Sequence, residues 1–501
     1  MPFNSIFAWV IKKRVHQIDL FRKYPIDVQR EILEKLIQGG IDSEWGKKHD
    51  FQTIQSYKDF KSKIELTTYE DLKPYIDRLL NGEQKVLWSS ETKWFAKSSG
   101  TTSSKSKVVP VTKDALEECH QKGGKDLLSL YYHNFPNCRL YSGKHLIIGG
   151  SAKINPISKD SFTGDLSAIL MKNLPWWAEI RRTPSREIAL MTEWEHKIDR
   201  MAKSTINEDV CILVGVPSWT LVLVKKILAY SGKKYLKEVW PNLELYMHGG
   251  VSFAPYEKEF KELIGPKKIN YVESYNASEG FFGIQDQKKS NELLLMLDYG
   301  VFYEFIPMSH YKGVKSEHVI DLSEVEIGVN YALVITTNAG LWRYIIGDTV
   351  QFTSKSPYRF KITGRTKSYI NVFGEELIVD NAEKAISITS EKFKAQIRDF
   401  TAGPIFMNDK IKGGHEWLIE FIDPPNDINE FGRYLDGVLQ ELNSDYEAKR
   451  YKNMVLEPLK IQVLENGVFD KWLKSKNKLG GQNKIPRLSN NRDIIEELLK
   501  I

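Results

Sequence analysis

Val210-Cys211-Ile212-Leu213-Val214-Gly215-Val216-Pro217-Ser218-Trp219 carries the clearest architectural signal in the chain. A short apolar run rich in β-branched residues and closed by glycine reads as a buried strand. Val216 to Trp219 then caps a helix that runs to about Tyr230, with Pro217 at a position where its missing N–H costs nothing. His145-Leu146-Ile147-Ile148 also ends in glycine and precedes further helical sequence. Strand-then-helix alternation predicts an α/β sheet, whose ligand crevice lies beyond the carboxyl ends of its strands.

On the N-terminal side, residues 15–90 read as helical. Val28, Ile32, Leu33, Leu36 and Ile37 recur at helical spacing, and Thr68 with Asp71 predicts a capped helix through Leu80. On the C-terminal side, residues 293–306 and 331–353 alternate like strands and predict a β subdomain. A strand–turn–helix over Ile370 to Ile386, two apolar runs near 403–407 and 417–422, and a helix from Asp427 to Asn443 predict a further α+β unit. The expectation is an α/β protein. Residues 1–364 form a large N-terminal domain with α/β sheets and a β subdomain, and 365–501 a small, mobile α+β C-terminal domain.

A chain of 501 residues exceeds what one hydrophobic core usually supports. Hydrophobic content of 42%, charged content of 27% and a net charge of +6 are those of an ordinary globular protein. The basic residues form no stripe interleaved with aromatics, so a nucleic-acid role is not indicated. Cys119, Cys138 and Cys211 are scattered and lack metal-ligand spacing, which favours a reducing, cytoplasmic location. No apolar stretch is long enough to span a bilayer, and no membrane partner is expected. The apolar run Ile6 to Ile11 precedes its basic residues, which reads as an amphipathic helix instead of a signal peptide.

Chemistry concentrates in four segments. Lys97-Ser98-Ser99-Gly100-Thr101-Thr102-Ser103-Ser104-Lys105-Ser106-Lys107 combines hydroxyls, a glycine and lysines, which suits a polyphosphate. It lacks Walker spacing, and the alternative is a plain Ser/Thr loop. Ser274-Tyr275-Asn276-Ala277-Ser278-Glu279-Gly280-Phe281-Phe282-Gly283 offers an aromatic to stack on a purine and a carboxylate for Mg²⁺; the alternative is a helix N-terminus capped by Ser and Glu. Leu341 to Asp348 ends an apolar strand in Gly347-Asp348, an acceptor for two ribose hydroxyls or an ordinary β-turn. Gly480-Gly481-Gln482-Asn483-Lys484-Ile485-Pro486-Arg487 presents one lysine on a loop, either carried into a closed site or solvated.

In order and content these segments resemble the adenylate-forming enzymes, in particular the acyl acid amido synthetases that join auxin, jasmonate or benzoates to amino acids. Ser98 to Pro110 is similar to that family's phosphate loop, Tyr275 to Gly283 to its Tyr-x-x-Ser-Glu segment, and Trp342 to Asp348 to its Tyr-Arg-Tyr-x-x-Gly-Asp. Lys484 to Arg487 is similar to its C-terminal Lys-x-Pro-Arg, and Thr68 to Ile76 to its N-terminal signature. Ser103 and Ser104 replace glycines, Trp342 replaces a tyrosine, and Phe373 to Leu377 departs from the plant Asp-Lys-Thr.

The resemblance implies an ATP-dependent acyl acid–amino acid ligase that makes an acyl-adenylate and pyrophosphate before an amine displaces AMP. A thiol acceptor, as in the acyl-CoA ligases, and a non-catalytic nucleotide binder are the alternatives. By the same resemblance Ser98, Ser99, Gly100, Thr101, Thr102 and Lys107 hold phosphates. Tyr275, Asn276, Ala277 and Ser278 flank adenine, Asp348 binds ribose, Arg365 is a further ATP-binding residue, and Glu279 holds Mg²⁺. Lys484 is the catalytic lysine, and Gly364 to Lys367 is the pivot of the C-terminal domain. Trp176, Trp219, His248, Gly249 and Gly250 are candidates for the acyl side; the alternative reads the tryptophans as core and His248 as a structural residue. The partners are a small-molecule carboxylic acid and an amino acid; composition leaves the oligomeric state open.

Overall fold

The computed structural model describes the chain except for residues 1, 99–106, 150–153, 158–160, 251–252, 312–313, 367–368, 376, 408–411, 454 and 477–484. Ser99, Gly100, Thr101, Thr102 and Lys484 therefore lie outside the described residues.

The N-terminal region is helical, as the spacing predicts: Pro2–Lys23, Pro25–Gly40 and Tyr69–Leu80 are its longest helices. Thr68 closes the last of these, its backbone N–H and its hydroxyl both donating to Asp71 Oδ2 at 2.7 Å.

Among the described residues the α/β part and the β subdomain are one twelve-stranded sheet. Strands Lys144–Ile147, Val210–Val214, Leu245–Gly249 and Asn270–Ala277 run parallel. From Asn270–Ala277 onward the sheet continues antiparallel through Gly280–Ile284, Leu293–Leu295, Tyr358–Arg365, Tyr344–Lys355 and Asn330–Thr337. Asn270–Ala277 is thus the seam where parallel pairing gives way to antiparallel. The sequence presents two patterns, a continuous apolar run in the parallel half and alternation in the antiparallel half, and helices cover both: Pro25–Gly40 packs on Val301–Pro307 and Asn330–Thr337.

A separate four-stranded sheet contains the hairpin Thr92–Ser98/Lys107–Thr112, in which Ser98 and Lys107 are cross-strand partners. The C-terminal region holds the hairpin Tyr369–Ile370/Leu377–Ile378 and a three-stranded sheet of Gln396–Ile405, Gly414–Asp423 and Lys460–Leu464. Helices Val379–Phe393 and Ile428–Leu442 accompany them, the second capped by Asp427.

One apolar core joins the helical region to the antiparallel half of the large sheet, from Ile18 through Phe360. A second runs from the parallel half, including Leu213, Tyr246 and Phe260, directly into Ile370, Phe373 and Trp417 of the C-terminal region. The two regions are packed on each other in this arrangement, with Tyr256 Oη donating to the Val372 carbonyl at 2.6 Å.

Candidate active site

The site is built on the seam strand. Ser274-Tyr275-Asn276-Ala277 continues the strand, Ser278-Glu279 makes a tight turn, and Gly280–Ile284 returns with Gly280 opposite Ala277. The helix-start alternative is not what forms: the apolar run Phe281-Phe282 takes a cross-strand place in the core, and a hairpin delivers Glu279 at its tip.

Tyr344–Lys355 supplies Asp348. Gly347 adopts φ +95°, a conformation that L side chains rarely take, and its carbonyl accepts from Thr366 N–H at 2.8 Å. Asp348 is a cross-strand partner of Arg365, whose Nε donates to Asp348 Oδ1 at 2.8 Å. Tyr275 Oη donates to the other carboxylate oxygen. An ionised carboxylate has about four lone-pair sites, so two acceptor positions remain for ligand hydroxyls.

The Tyr275 ring is buried and packed edge-on against Phe282 and Phe360, with centroids at 5.0 and 6.2 Å. The ring expected beside a purine is thus packed in the core, and the hydroxyl is the end of Tyr275 that meets Asp348. Asn276 Oδ1 meets His120 Nδ1 at 3.2 Å, and Ala277 and Ser278 are half-buried beside it.

Glu279 is buried, and its carboxyl is pushed up to about 6 mainly by that burial, against the opposing pull of the Lys107 charge. Lys107 Nζ lies 3.4 Å from Tyr344 Oη and above the rings of Tyr69 and Tyr344, at 5.7 and 5.9 Å. Tyr69 Oη in turn accepts from Val108 N–H at 3.1 Å. Lys107, Tyr275, Glu279, Asp348 and Arg365 therefore converge, although they come from widely separated stretches of chain. Ser98 and Lys107 bring both ends of the hydroxyl-rich segment to this place.

Sequence reasoning missed Tyr69, Tyr344 and His120. The first two lie inside quoted motifs, and their hydroxyls were the available signal; His120 offered none.

The remaining candidates fall at the carboxyl ends of the parallel strands, with one exception. His248 ends Leu245–Gly249, is buried, stacks on Phe253 at 4.3 Å, and is pushed down to about 3 by burial. Gly249 approaches the next strand so closely that a Cβ would sit 2.3 Å from the Ser274 carbonyl oxygen. Gly250 takes φ +82°, and its carbonyl accepts from Asn371 Nδ2 of the C-terminal region at 3.5 Å. Trp219 is half-buried beneath Lys449 of that same region, with Nζ 4.3 Å from the ring centroid. The exception is Trp176, which is 75% exposed on the short helix Trp176–Glu179 and is not brought to the crevice. Its neighbour Trp177 packs against the core instead.

Comparison with known proteins places this geometry. Models of the GH3 family match in three parts: the N-terminal domain over residues 14–269, the central domain over 294–365 and the C-terminal domain over 380–493. This chain belongs to the GH3 family. Arabidopsis thaliana indole-3-acetic acid-amido synthetase GH3.3 is 25% identical, covering 94% of this chain and 90% of that protein. Arabidopsis thaliana 4-substituted benzoates-glutamate ligase GH3.12 is 24% identical, covering 92% of each. Among solved structures, GH3.15 acyl acid amido synthetase superposes with a TM-score of 0.60 at 20% identity, over 95% of this chain and 92% of that one. A 2-hydroxyisobutyryl-CoA ligase superposes with a TM-score of 0.55 at 12% identity, over 95% and 91%. The fold of this GH3 chain is therefore that of the adenylate-forming enzymes.

Proposed function

We propose that this GH3-family enzyme is an ATP-dependent acyl acid–amino acid ligase acting in a reducing, cytoplasmic compartment. The observation that carries the reading is the convergence at the seam: a carboxylate held from both sides by Tyr275 and Arg365, with Glu279 and Lys107 beside it. Asp348 takes the ribose hydroxyls, and the hydroxyl-rich segment between Ser98 and Lys107 takes the phosphates. The acid occupies the strand-end crevice near Trp219, His248, Gly249 and Gly250. Its carboxylate attacks the α-phosphorus, pyrophosphate leaves, and an amine then displaces AMP. In the first step the protein aligns the reactants and offsets charge, and Lys484 supplies that charge at the α-phosphate.

Glu279 fits Mg²⁺. It is one buried hard-oxygen ligand, and no cluster of three or more His, Cys, Asp or Glu exists among the described residues to form an all-protein cage. Ionised Glu279 is the residue that would hold Mg²⁺, which would supply neutralisation of phosphate charge.

The test is acid-dependent ATP–pyrophosphate exchange over a panel of carboxylic acids, followed by mass spectrometry of products formed with mixed amino acids and coenzyme A. Amides support the ligase reading. Thioesters alone move the enzyme to the acyl-CoA branch, and no acid-stimulated exchange leaves only a nucleotide binder.

A further inference from the structure

Glu273 lies two residues before Tyr275 on the seam strand and is the cross-strand partner of His248. In parallel strands such partners project from the same face, here the face that also carries Tyr246, Phe253 and Tyr271. Both groups are unsatisfied. Glu273 is half-buried, and among the described residues no hydrogen bond or ion pair reaches its carboxylate; His248 Nδ1 is fully buried without a partner. Uncompensated buried polar groups are costly, and such sites are where function concentrates.

Their position is at the crevice. His248 is followed by Gly249 and Gly250, which approach Ser274 and the C-terminal Asn371, and Glu273 leads into the hairpin that carries Glu279. The acids on the nucleotide side are already engaged, Asp348 by Tyr275 and Arg365, and Glu279 by the charge of Lys107. Glu273 is the acid left over, and the second half-reaction needs one, because an amino acid arrives as an ammonium ion with no lone pair to attack.

We propose that Glu273, with His248 beside it, forms the acceptor subsite, binding the ammonium of the incoming amine and taking its proton. This rests on the ligase reading above. The Glu273 carboxylate accepts one N–H proton, and the freed lone pair forms the C–N bond to the acyl carbon. The acyl C–O bond to AMP breaks with its electrons on the phosphate oxygen, and the second N–H proton leaves on AMP. His248 stays neutral and offers an uncharged ring nitrogen to the amine.

The titratable groups around Glu273 do not compete for this role. They are His248 and Tyr246 on the adjacent strand and Tyr271 on its own strand; Glu257, whose charge bears on Tyr271, pairs with Lys261. On the other neighbouring strand Gln285 is uncharged and accepts from the Glu273 backbone N–H. Burial alone pushes the Glu273 carboxyl up to about 7, a suitable affinity for a proton acceptor near neutral pH.

The experiment compares wild-type protein with Glu273→Gln and Glu273→Asp, using the acid that exchanges fastest among indole-3-acetate, 4-substituted benzoates and short 2-hydroxy acids. Amide formation is measured with a mixture of amino acids and separately with hydroxylamine, which is already uncharged at neutral pH. Relative to exchange, the glutamine variant is expected to lose amidation of amino acids by about 10²-fold or more. Its hydroxylamine reaction is retained, and the aspartate variant is intermediate. In the wild type, amidation of amino acids falls as pH drops below about 7, and the glutamine variant lacks that limb. Equal loss with both amines, or no loss with either, overturns the assignment. Absence of acid-dependent exchange in the wild type overturns the ligase reading itself.

Discussion

Tyr275 and Asp348 show how much one hydroxyl can decide. The Tyr275 ring is core, but its O–H fixes one carboxylate oxygen of Asp348 while Arg365 fixes the other. Tyr275→Phe keeps the ring and releases one of the two carboxylate oxygens. A hydrogen bond to a charged group contributes about 1.5–3 kcal/mol, so the KM for ATP is expected to rise about tenfold with a smaller change in kcat. An unchanged KM in steady-state kinetics would remove Tyr275 from the nucleotide site. Lys484→Ala is expected to slow adenylation by about 10²–10³-fold, the usual cost of losing one preorganised charge donor, with pyrophosphate release as the measurement. Normal release would refute that role. Asp348, Glu279 and Lys107 were legible in the sequence because their chemistry stands out in short motifs. Glu273 was not, since an acid inside a strand looks like any solvent-facing residue until its half-buried place beside His248 is known.

At the level of the element, the segment Trp342-Arg343-Tyr344 is held with unusual firmness. Trp342 is fully buried, donates from Nε1 to the Leu87 carbonyl at 3.0 Å, and packs on Phe51 and Trp88. Its indole fills a core space between the N-terminal helices and the sheet, which accounts for tryptophan where the family pattern has tyrosine. Arg343 adopts φ +44° and is fully buried, with Nε and Nη2 both on Glu304 at 2.9 Å and Nη1 on the Ile64 carbonyl at 2.6 Å. This ion pair clamps the start of the strand that presents Tyr344 and Asp348. Glu304→Gln leaves the guanidinium uncompensated and is expected to destabilise the protein by about 3–5 kcal/mol in urea unfolding. A loss below about 1 kcal/mol would mean that the carbonyl contacts alone hold the arginine. The strand was legible from its alternation. The clamp was not, because Glu304 and Arg343 meet only through strand pairing at long sequence separation.

Across the whole molecule, buried titratable groups shape the pH response. Burial lowers His120, His145 and His248 from 6.5 to about 4, 4 and 3, so the unfolded chain binds more protons between those values and 6.5, and stability rises with pH there. Burial raises Glu279 and Glu273 from 4.5 to about 6 and 7, so the folded state binds more protons in that window, and stability falls with rising pH. The histidines outnumber the two carboxyls, and the thermal midpoint of the ligand-free protein is expected to climb from pH 4.5 toward 6.5. Replacing both carboxyls with glutamine should steepen the climb; a flatter curve would show that they are not desolvated in the folded state.

The sequence by itself determined the helical N-terminal region, the strand–helix alternation, the order of the motifs and the family, because periodicity, caps and short loops are local properties of the chain. Only the tertiary structure decided that the α/β and β parts form one sheet, that Ser278-Glu279 turns a hairpin, and that Trp176 faces solvent while Glu273 is half-buried beside His248. Those outcomes depend on which surfaces meet across hundreds of residues, and burial, the quantity that sets both their energies and their protonation, does not exist until the chain has closed on itself.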